Sequence, residues 1–244
     1  MSSPSAVLVD LDNTLVLYNE PAFIQQYFAA LSSTFADLIP PESLPERVLM
    51  STVALSSNDG LLNNADFFMN TFLDPGADRA EVWQRFLTFY QTDYLDILPE
   101  CRPPAGFEAV LADIKASEVK LVLATNPIYP VAAYSHRLSW VGLTLQDFDH
   151  ITHIENTGFV KPNAGYFRTI TTTIGIEPES CLMVGNDPVY DMAASEIGIQ
   201  TYLITDAAES DYILPGISSD TSGAYTPDVT GPFAEISNHF DFAT

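Results

Sequence analysis

The chain has 244 residues, of which 32 are acidic and 9 are basic, so its formal net charge is -23. Hydrophobic residues make up 47% of the sequence, which predicts a packed core and argues against wholesale disorder. The acidic surface argues against nucleic-acid binding, because it repels a phosphate backbone. Since no apolar run approaches the roughly 18 residues that cross a bilayer, we expect no membrane segment either.

The cysteine content and the start of the chain indicate a cytoplasmic protein. Cys101 and Cys181 are too few and too far apart for a disulfide framework or a thiolate metal site, which fits a reducing compartment. The first ten residues have no basic region, so we interpret their apolar stretch as a first strand and not as a signal peptide.

Short apolar runs that end at turn residues predict buried strands of a parallel sheet. In chain order these runs are residues 6–9, 119–124, 151–154, 181–184 and 201–204. Helical patterns lie between the later runs, at residues 106–116, 164–175 and 189–197. This alternation predicts an α/β fold with a doubly wound, Rossmann-like parallel sheet.

Residues 17–104 do not follow this alternation. They contain amphipathic stretches at residues 22–36, 43–55 and 79–94 and no convincing strand. We therefore predict a helical cap at 17–104, inserted into an α/β catalytic core made of residues 1–16 and 105–244. Residues 212–244 are rich in Ser, Thr, Pro and Gly, which predicts a loop with little regular structure.

Polar residues with possible chemical roles follow the predicted strands or precede a helix. They are Asp10 and Asp12, then Thr125 and Asn126, then Lys161, and finally Asn186, Asp187 and Asp191. Open α/β sheets bind their ligands at the carboxyl ends of their strands. Mg²⁺ prefers carboxylate, carbonyl and water ligands, so two aspartate clusters and a lysine could hold both Mg²⁺ and a phosphate.

The sequence DLDNT at residues 10–14, directly after an apolar run, resembles the first motif of the haloacid dehalogenase superfamily phosphatases. Thr125 matches the second motif, Lys161 the third, and residues 187–191 the fourth. The predicted helical insert resembles the C1-type cap of that family. The resemblance implies a magnesium-dependent phosphatase that acts on a small phosphorylated metabolite.

The resemblance also implies the catalytic roles. Asp10 attacks phosphorus and forms an aspartyl-phosphate. Asp12 protonates the leaving group and then deprotonates the hydrolytic water. Dehalogenases lack an acid at the position of Asp12, so this residue favours phosphoryl chemistry. Thr125, Asn126 and Lys161 bind the oxygens of the phosphoryl group.

For the metal, the resemblance implies Mg²⁺ bound by the Asp10 carboxylate, the Asp12 carbonyl and Asp187, with Asp191 and Asn186 in support. The fourth motif departs from many relatives, because Asn186 and not an acid follows Gly185. Two registers therefore remain open, with either Asp187 or Asn186 as the direct ligand. We expect Asp187, since a carboxylate is the better partner for a hard dication.

Two other functions remain open from the sequence alone. A phosphomutase of the same superfamily carries the same first motif but transfers the phosphoryl group to a substrate hydroxyl. A non-catalytic relative would only bind a phosphorylated ligand or a protein, but such relatives usually lack one of Asp10, Asp12 or Lys161, and all three are present.

Overall fold

The computed structural model describes residues 3–207 and 223–242. The strands are β1 (Ala6–Val9), β2 (Leu17–Tyr18), β3 (Cys101–Arg102), β4 (Lys120–Leu123), β5 (His150–Ile151), β6 (Cys181–Gly185), β7 (Gln200–Ile204) and β8 (Val229–Gly231). The helices are α1 (Glu20–Thr34), α2 (Leu44–Ala54), α3 (Asn64–Phe72), α4 (Arg79–Gln91), α5 (Phe107–Lys115), α6 (Val131–Ser139), α7 (Ala164–Ile174) and α8 (Ile236–His239).

The main sheet has 6 strands in the order β5-β4-β1-β6-β7-β8. Every pair in it is parallel, which confirms the predicted α/β fold. Central strand β1 pairs with β4 on one side and with β6 on the other, so that Val9 lies opposite both Leu123 and Val184. The loops that follow these three strands consequently leave the same edge of the sheet side by side.

Both faces of β1 are covered. Val7 and Val9 belong to a core cluster shared with the aromatic residues of α1, α3 and α4, whereas Ala6 and Leu8 pack with residues of α7 on the opposite face. Because a strand buried on both faces has no polar side, β1 is a continuous apolar run, which is why it is visible in the sequence.

Four helices, α1 to α4, lie between β1 and α5, where a helical insert is expected. The prediction that residues 17–104 contain no strand is wrong. Strands β2 and β3 pair antiparallel at the two ends of this segment, with Leu17 opposite Arg102 and Tyr18 opposite Cys101. A strand of two residues is too short to show alternation, so no periodic pattern could reveal it. We call residues 17–104 the helical insert.

The end of the chain is more regular than expected. Strand β8 extends the main sheet beside β7, and α8 follows it, although residues 212–244 were predicted to be a loop. Buried Phe233, Ile236 and Phe240 anchor this segment, and such apolar anchors outweigh a turn-rich composition. Part of that prediction, residues 212–222 and 243–244, lies outside the described residues.

Two further elements are shorter than predicted. The third strand covers His150–Ile151 instead of 151–154, and the helix expected at 189–197 is a 3₁₀ helix at Met192–Ile197. Its late start follows from Asp187, whose side chain accepts hydrogen bonds from the amides of Val189 and Tyr190 and holds them in a turn. Within the described ranges, no helix is long and apolar enough to cross a membrane.

Candidate active site

The loop after β1 carries the first group of polar residues. Asp10 is the residue after the strand, and its N–H donates to the carbonyl of Val184 at 2.9 Å, which places it beside β6. Asn13 has a φ of 57°, a left-handed conformation that asparagine tolerates better than most residues. The amides of Leu15 and Val16 both donate to the Leu11 carbonyl, so the loop is a tight turn fixed at its base.

Lys161 joins two buried carboxylates. Its Nζ donates to Asp10 Oδ1 at 2.8 Å and to Asp191 Oδ1 at 2.6 Å. Lys161 and Asp191 are each 2% exposed and Asp10 is 8% exposed, so the three charges share one water-poor site. Burial and the nearby Asp191 raise the pKa of Asp10 to about 7, although Lys161 opposes this shift. Burial alone would lower the pKa of Lys161, but the two carboxylates raise it above its usual value.

The loop after β4 holds Lys161 in place. The side-chain oxygen of Asn126 accepts a hydrogen bond from the backbone N–H of Lys161 at 3.2 Å. The carbonyl of Thr125 accepts hydrogen bonds from the hydroxyls of Thr152 and Tyr166, at 2.7 and 2.8 Å. The three predicted phosphate-binding residues, Thr125, Asn126 and Lys161, therefore lie together, although β4 and Lys161 are far apart in the sequence.

Gly185, the last residue of β6, allows Asp191 to approach Lys161. A Cβ atom at position 185 would lie 2.1 Å from Asp191 Oδ2, so any larger residue there would displace the Asp191 carboxylate. That same oxygen accepts a hydrogen bond from the backbone N–H of Asp187 at 3.0 Å. The glycine is required here by close packing, not by its backbone angles.

Asn186 and Asp187 have different surroundings. Asn186 Oδ1 accepts a hydrogen bond at 3.0 Å from the Thr14 hydroxyl, so its side chain reaches the loop that carries Asp10 and Asp12. Asp187 Oδ1 accepts hydrogen bonds from the amides of Val189 and Tyr190, both at 2.8 Å. Burial raises the pKa of Asp187 above its usual value. One oxygen of Asp187 is thus occupied within its own turn.

Asp12 is paired with an arginine that no sequence motif indicated. Arg137 Nη1 donates to Asp12 Oδ2 at 2.6 Å, and the Tyr18 hydroxyl donates to Asp12 Oδ1 at 3.0 Å. Arg137 is 1% exposed and lies in α6, a helix that no sequence pattern predicted. The one signal in the sequence that could have indicated Arg137 is the small number of basic residues. With only 9 of them in so acidic a chain, each is a candidate partner for a functional carboxylate.

Aromatic rings surround the Arg137 guanidinium. Its central carbon lies 4.4 Å from the ring centroid of Tyr129 and 4.8 Å from that of Phe23, and its Nε donates to the Tyr94 hydroxyl at 2.8 Å. Tyr129 follows β4, whereas Phe23 and Tyr94 belong to the helical insert. Burial alone would lower the pKa of Arg137, but Asp12 raises it well above its usual value. The insert and the rest of the molecule therefore meet at a buried, charged arginine.

The oxygen atoms around Asp10 suit a hard cation. The candidate ligands are the Asp10 carboxylate, the Asp12 carbonyl and the side-chain oxygens of Asn186 and Asp187, all of them oxygen donors of the kind that Mg²⁺ prefers. In the part of the chain that the structure describes, no group of three or more His, Cys, Asp or Glu side chains could hold a metal ion. A site built here would consequently need a backbone carbonyl or the Asn186 amide as well.

A family model decides the family of this chain. Residues 4–197 match the model of the haloacid dehalogenase-like hydrolases. The chain belongs to this family. The match confirms the resemblance seen in the sequence, and it includes the loops that carry Asp10, Thr125, Lys161 and Asp191. Among curated proteins, no sequence matches this haloacid dehalogenase-like hydrolase.

Several solved structures share its fold. A predicted phosphoglycolate phosphatase from Haemophilus somnus 129pt has a TM-score of 0.58 at 20% identity, over 98% of this chain and 99% of that one. CbbY from Rhodobacter sphaeroides, in complex with phosphate, has a TM-score of 0.56 at 19% identity, and the match covers 95% of this chain and 96% of that one. The putative HAD-hydrolase YfnB from Bacillus subtilis, bound to magnesium, has a TM-score of 0.56 at 18% identity, and the match covers 99% of this chain and 100% of that one.

Proposed function

We propose that this haloacid dehalogenase-like hydrolase is a magnesium-dependent phosphatase that hydrolyses a small phosphorylated metabolite through an aspartyl-phosphate on Asp10. The observation that carries this proposal is the buried Asp10–Lys161–Asp191 cluster at the carboxyl end of β1, with Asp12 two residues further along. A carboxylate held against an ammonium group in a water-poor site suits attack on an anionic phosphoryl group.

The residues divide the reaction between them. An oxygen of Asp10 attacks phosphorus, and the bond from phosphorus to the leaving oxygen breaks. Asp12 gives its proton to the leaving oxygen and then accepts one from the water that attacks the phosphoenzyme, which releases phosphate and restores Asp10. Lys161, with Thr125 and Asn126 beside it, binds the phosphoryl oxygens. Mg²⁺, when bound, would supply a second positive charge at these oxygens.

The charge balance of the site supports a metal requirement. Lys161 is one positive charge between the carboxylates of Asp10 and Asp191, and a phosphate monoester adds further negative charge. The nucleophile must also be ionised, although burial raises the pKa of Asp10 to about 7. A dication beside Asp10 favours the ionised form and offsets the charge of the substrate. The magnesium-bound structure of YfnB supports the same expectation.

For the fourth motif, the geometry favours Asn186 as the direct ligand over Asp187. The Asn186 side chain reaches Thr14 on the first loop, whereas Asp187 uses one oxygen to hold its own turn. An amide oxygen is a weaker donor than a carboxylate but still a suitable one for a hard cation. Asp187 would then support the loop that carries Asn186 and Asp191.

A small substrate fits the position of the site. Asp10 is 8% exposed and Lys161 is 2% exposed, so a phosphate group reaches them only through a narrow or transiently open entrance. The helical insert contributes residues to the wall beside Asp12, where the leaving group of the substrate would lie. We propose that the insert acts as a cap that excludes water and selects the leaving group. CbbY, crystallised with phosphate, is consistent with this class of ligand.

The test is phosphate release from p-nitrophenyl phosphate and from a panel of phosphorylated metabolites, with and without Mg²⁺. We expect free phosphate in amounts equal to the substrate consumed, and no turnover after EDTA treatment. Accumulation of a bisphosphorylated product instead of phosphate would identify a phosphomutase. Binding of these ligands without any turnover would identify a non-catalytic relative.

A further inference from the structure

Asp12 is held by residues that the proposed mechanism does not use. Its two carboxylate oxygens accept hydrogen bonds from Arg137 and Tyr18. Tyr18 lies in β2, the strand at the entrance to the helical insert, and Arg137 lies in α6. The pair between Asp12 and Arg137 joins residues 125 positions apart in the chain, so it exists only in the folded protein.

The position of Arg137 is too costly to be explained by packing alone. A buried ion pair is usually no more stabilising than a well-packed apolar pair, because both charges lose their water. Here the guanidinium is 1% exposed, and its partner Asp12 is the residue to which acid–base chemistry is assigned. The flanking rings of Phe23 and Tyr129 fix the plane of the guanidinium, and through it the direction of Nη1.

The surroundings of Arg137 also link Asp12 to the helical insert. Phe23 in α1 and Tyr94 after α4 contact the guanidinium from the insert, while Tyr129 contacts it from the loop after β4. The guanidinium of an arginine is a planar fork, so Nη1 and Nε hold Asp12 and Tyr94 in directions fixed by a single plane, a geometry that a lysine ammonium does not impose. The contacts that hold the guanidinium against Asp12 therefore come in part from the insert.

We propose that Arg137 is a positioning residue that orients the Asp12 carboxylate for proton transfer and makes this orientation depend on closure of the helical insert. The inference rests on the proposed phosphatase function, since it assigns Arg137 its role through Asp12. Arg137 touches neither the substrate nor Asp10 in this role. Replacing Arg137 should slow the steps that need proton transfer by Asp12, but it should not slow the attack of Asp10 on phosphorus.

The test compares two leaving groups in the variant Arg137→Met. An alkyl phosphate needs a proton on its leaving oxygen, whereas p-nitrophenolate leaves with little help. We expect kcat/KM for the alkyl phosphate to fall about 10- to 100-fold, the usual effect of misplacing a reacting group. For p-nitrophenyl phosphate kcat/KM should change far less, while kcat falls because hydrolysis of the phosphoenzyme still needs Asp12.

Three variants serve as controls. Arg168→Met removes an exposed arginine from α7 with the same change in net charge, and both kcat/KM values should stay unchanged. Arg137→Lys keeps the charge but loses the fork, so its effect should be intermediate. In the Asp12→Asn background, Arg137→Met should have no additional effect on kcat/KM, since the group through which it acts is already lost.

An equal fall for both substrates would overturn the proposal, because a merely structural role lowers the active fraction without regard to leaving group. A multiplicative effect in the double variant would overturn it as well. The Nη–H resonances of Arg137 give a test without turnover: because Nη1 donates to Asp12, they should be shifted in Asp12→Asn, and unchanged resonances would contradict the pairing. If the wild-type enzyme released no phosphate from either substrate, the proposed function would fail instead.

Discussion

Asp10 and Asp12 are two residues apart, but each is paired with a different cation in a different part of the molecule. Asp10 contacts Lys161, which the loops after β4 and β6 hold in place. Asp12 contacts Arg137, whose guanidinium lies between α6 and the helical insert. Neighbouring residues on one tight turn can thus belong to two separate electrostatic clusters.

This difference separates two functions that the mechanism needs. The hydrogen bonds that join Asp10, Lys161 and Asp191 lie among loops at the edge of the main sheet, so we expect them to depend less directly on the insert. Asp12 depends on it more directly, because its partner Arg137 contacts Phe23 and Tyr94 of the insert. A nucleophile fixed by the sheet and an acid–base group fixed by the insert would couple proton transfer, but not nucleophilicity, to closure.

The largest effect is expected at the nucleophile. Asp10→Asn should lower kcat by on the order of 10⁴-fold or more, because an amide cannot accept the phosphoryl group and the roles in such a site are not additive. Asp113→Asn, a change of the same type on the exposed side of α5, should have full activity. Steady-state phosphate release measures both, and an active Asp10→Asn enzyme would contradict the covalent mechanism.

The next effect concerns stability. Lys161→Met leaves the buried carboxylates of Asp10 and Asp191 without their cation, so we expect the free energy of unfolding to fall by about 3–5 kcal/mol. Lys115→Met breaks the ion pair with Asp147 in which the lysine side chain is 40% exposed, and it should cost less than about 1 kcal/mol. Urea denaturation compares the two variants, and similar losses would show that the Asp10 cluster is not the tighter one.

The metal requirement distinguishes the two registers of the fourth motif. Asn186→Ala should raise the Mg²⁺ concentration for half-maximal activity at least about tenfold. Asp187→Ala should raise it less, since that carboxylate holds the turn at Val189 and Tyr190. The measurement is activity against Mg²⁺ concentration, with circular dichroism as a check on folding. The opposite ranking would restore Asp187 as the direct ligand.

The smallest effect tests the link to the insert. Tyr94→Phe removes only the hydroxyl that accepts from Arg137 Nε, so it should cost about 1 kcal/mol of stability and lower kcat/KM for an alkyl phosphate a few-fold. Tyr90→Phe removes another buried hydroxyl of the insert, one that bonds Tyr27 and not Arg137. Tyr90→Phe should leave the ratio of kcat/KM for the alkyl phosphate to kcat/KM for p-nitrophenyl phosphate unchanged. An equal fall of this ratio in Tyr94→Phe and Tyr90→Phe would contradict a specific link between Asp12 and the insert through Arg137.

The sequence predicted the Asp10 cluster better than the Asp12 cluster, for a physical reason. Strands β1 and β6 are buried on both faces, so they form unbroken apolar runs, and the residues that follow them stand out. Arg137 lies instead in a helix with the sequence VAAYSHRLS, where small and polar residues obscure the apolar face. Its burial depends on Asp12, Tyr94 and Phe23, which are distant in the chain, and no local pattern reports such contacts.

Short elements were missed for a related reason. Strands β2 and β3 have two residues each, so their pairing is set by the fold around them and not by their own propensity. Asn64, in the helical insert, is fully buried and donates hydrogen bonds to the carbonyls of Pro127 and Phe159. Neighbouring Asn63 does cap α3, by accepting a hydrogen bond from the backbone of Asp66.

The most direct test of the covalent mechanism is to locate the phosphoryl group during turnover. Asp12→Asn enzyme should be mixed with p-nitrophenyl phosphate and Mg²⁺, quenched in acid within the first turnover, and mapped by mass spectrometry after proteolysis. We predict a phosphorylated peptide that contains Asp10, which accumulates because an amide at position 12 cannot activate the hydrolytic water. Release of p-nitrophenol without any phosphoryl group on Asp10, or with the group on another residue, would contradict the proposed mechanism.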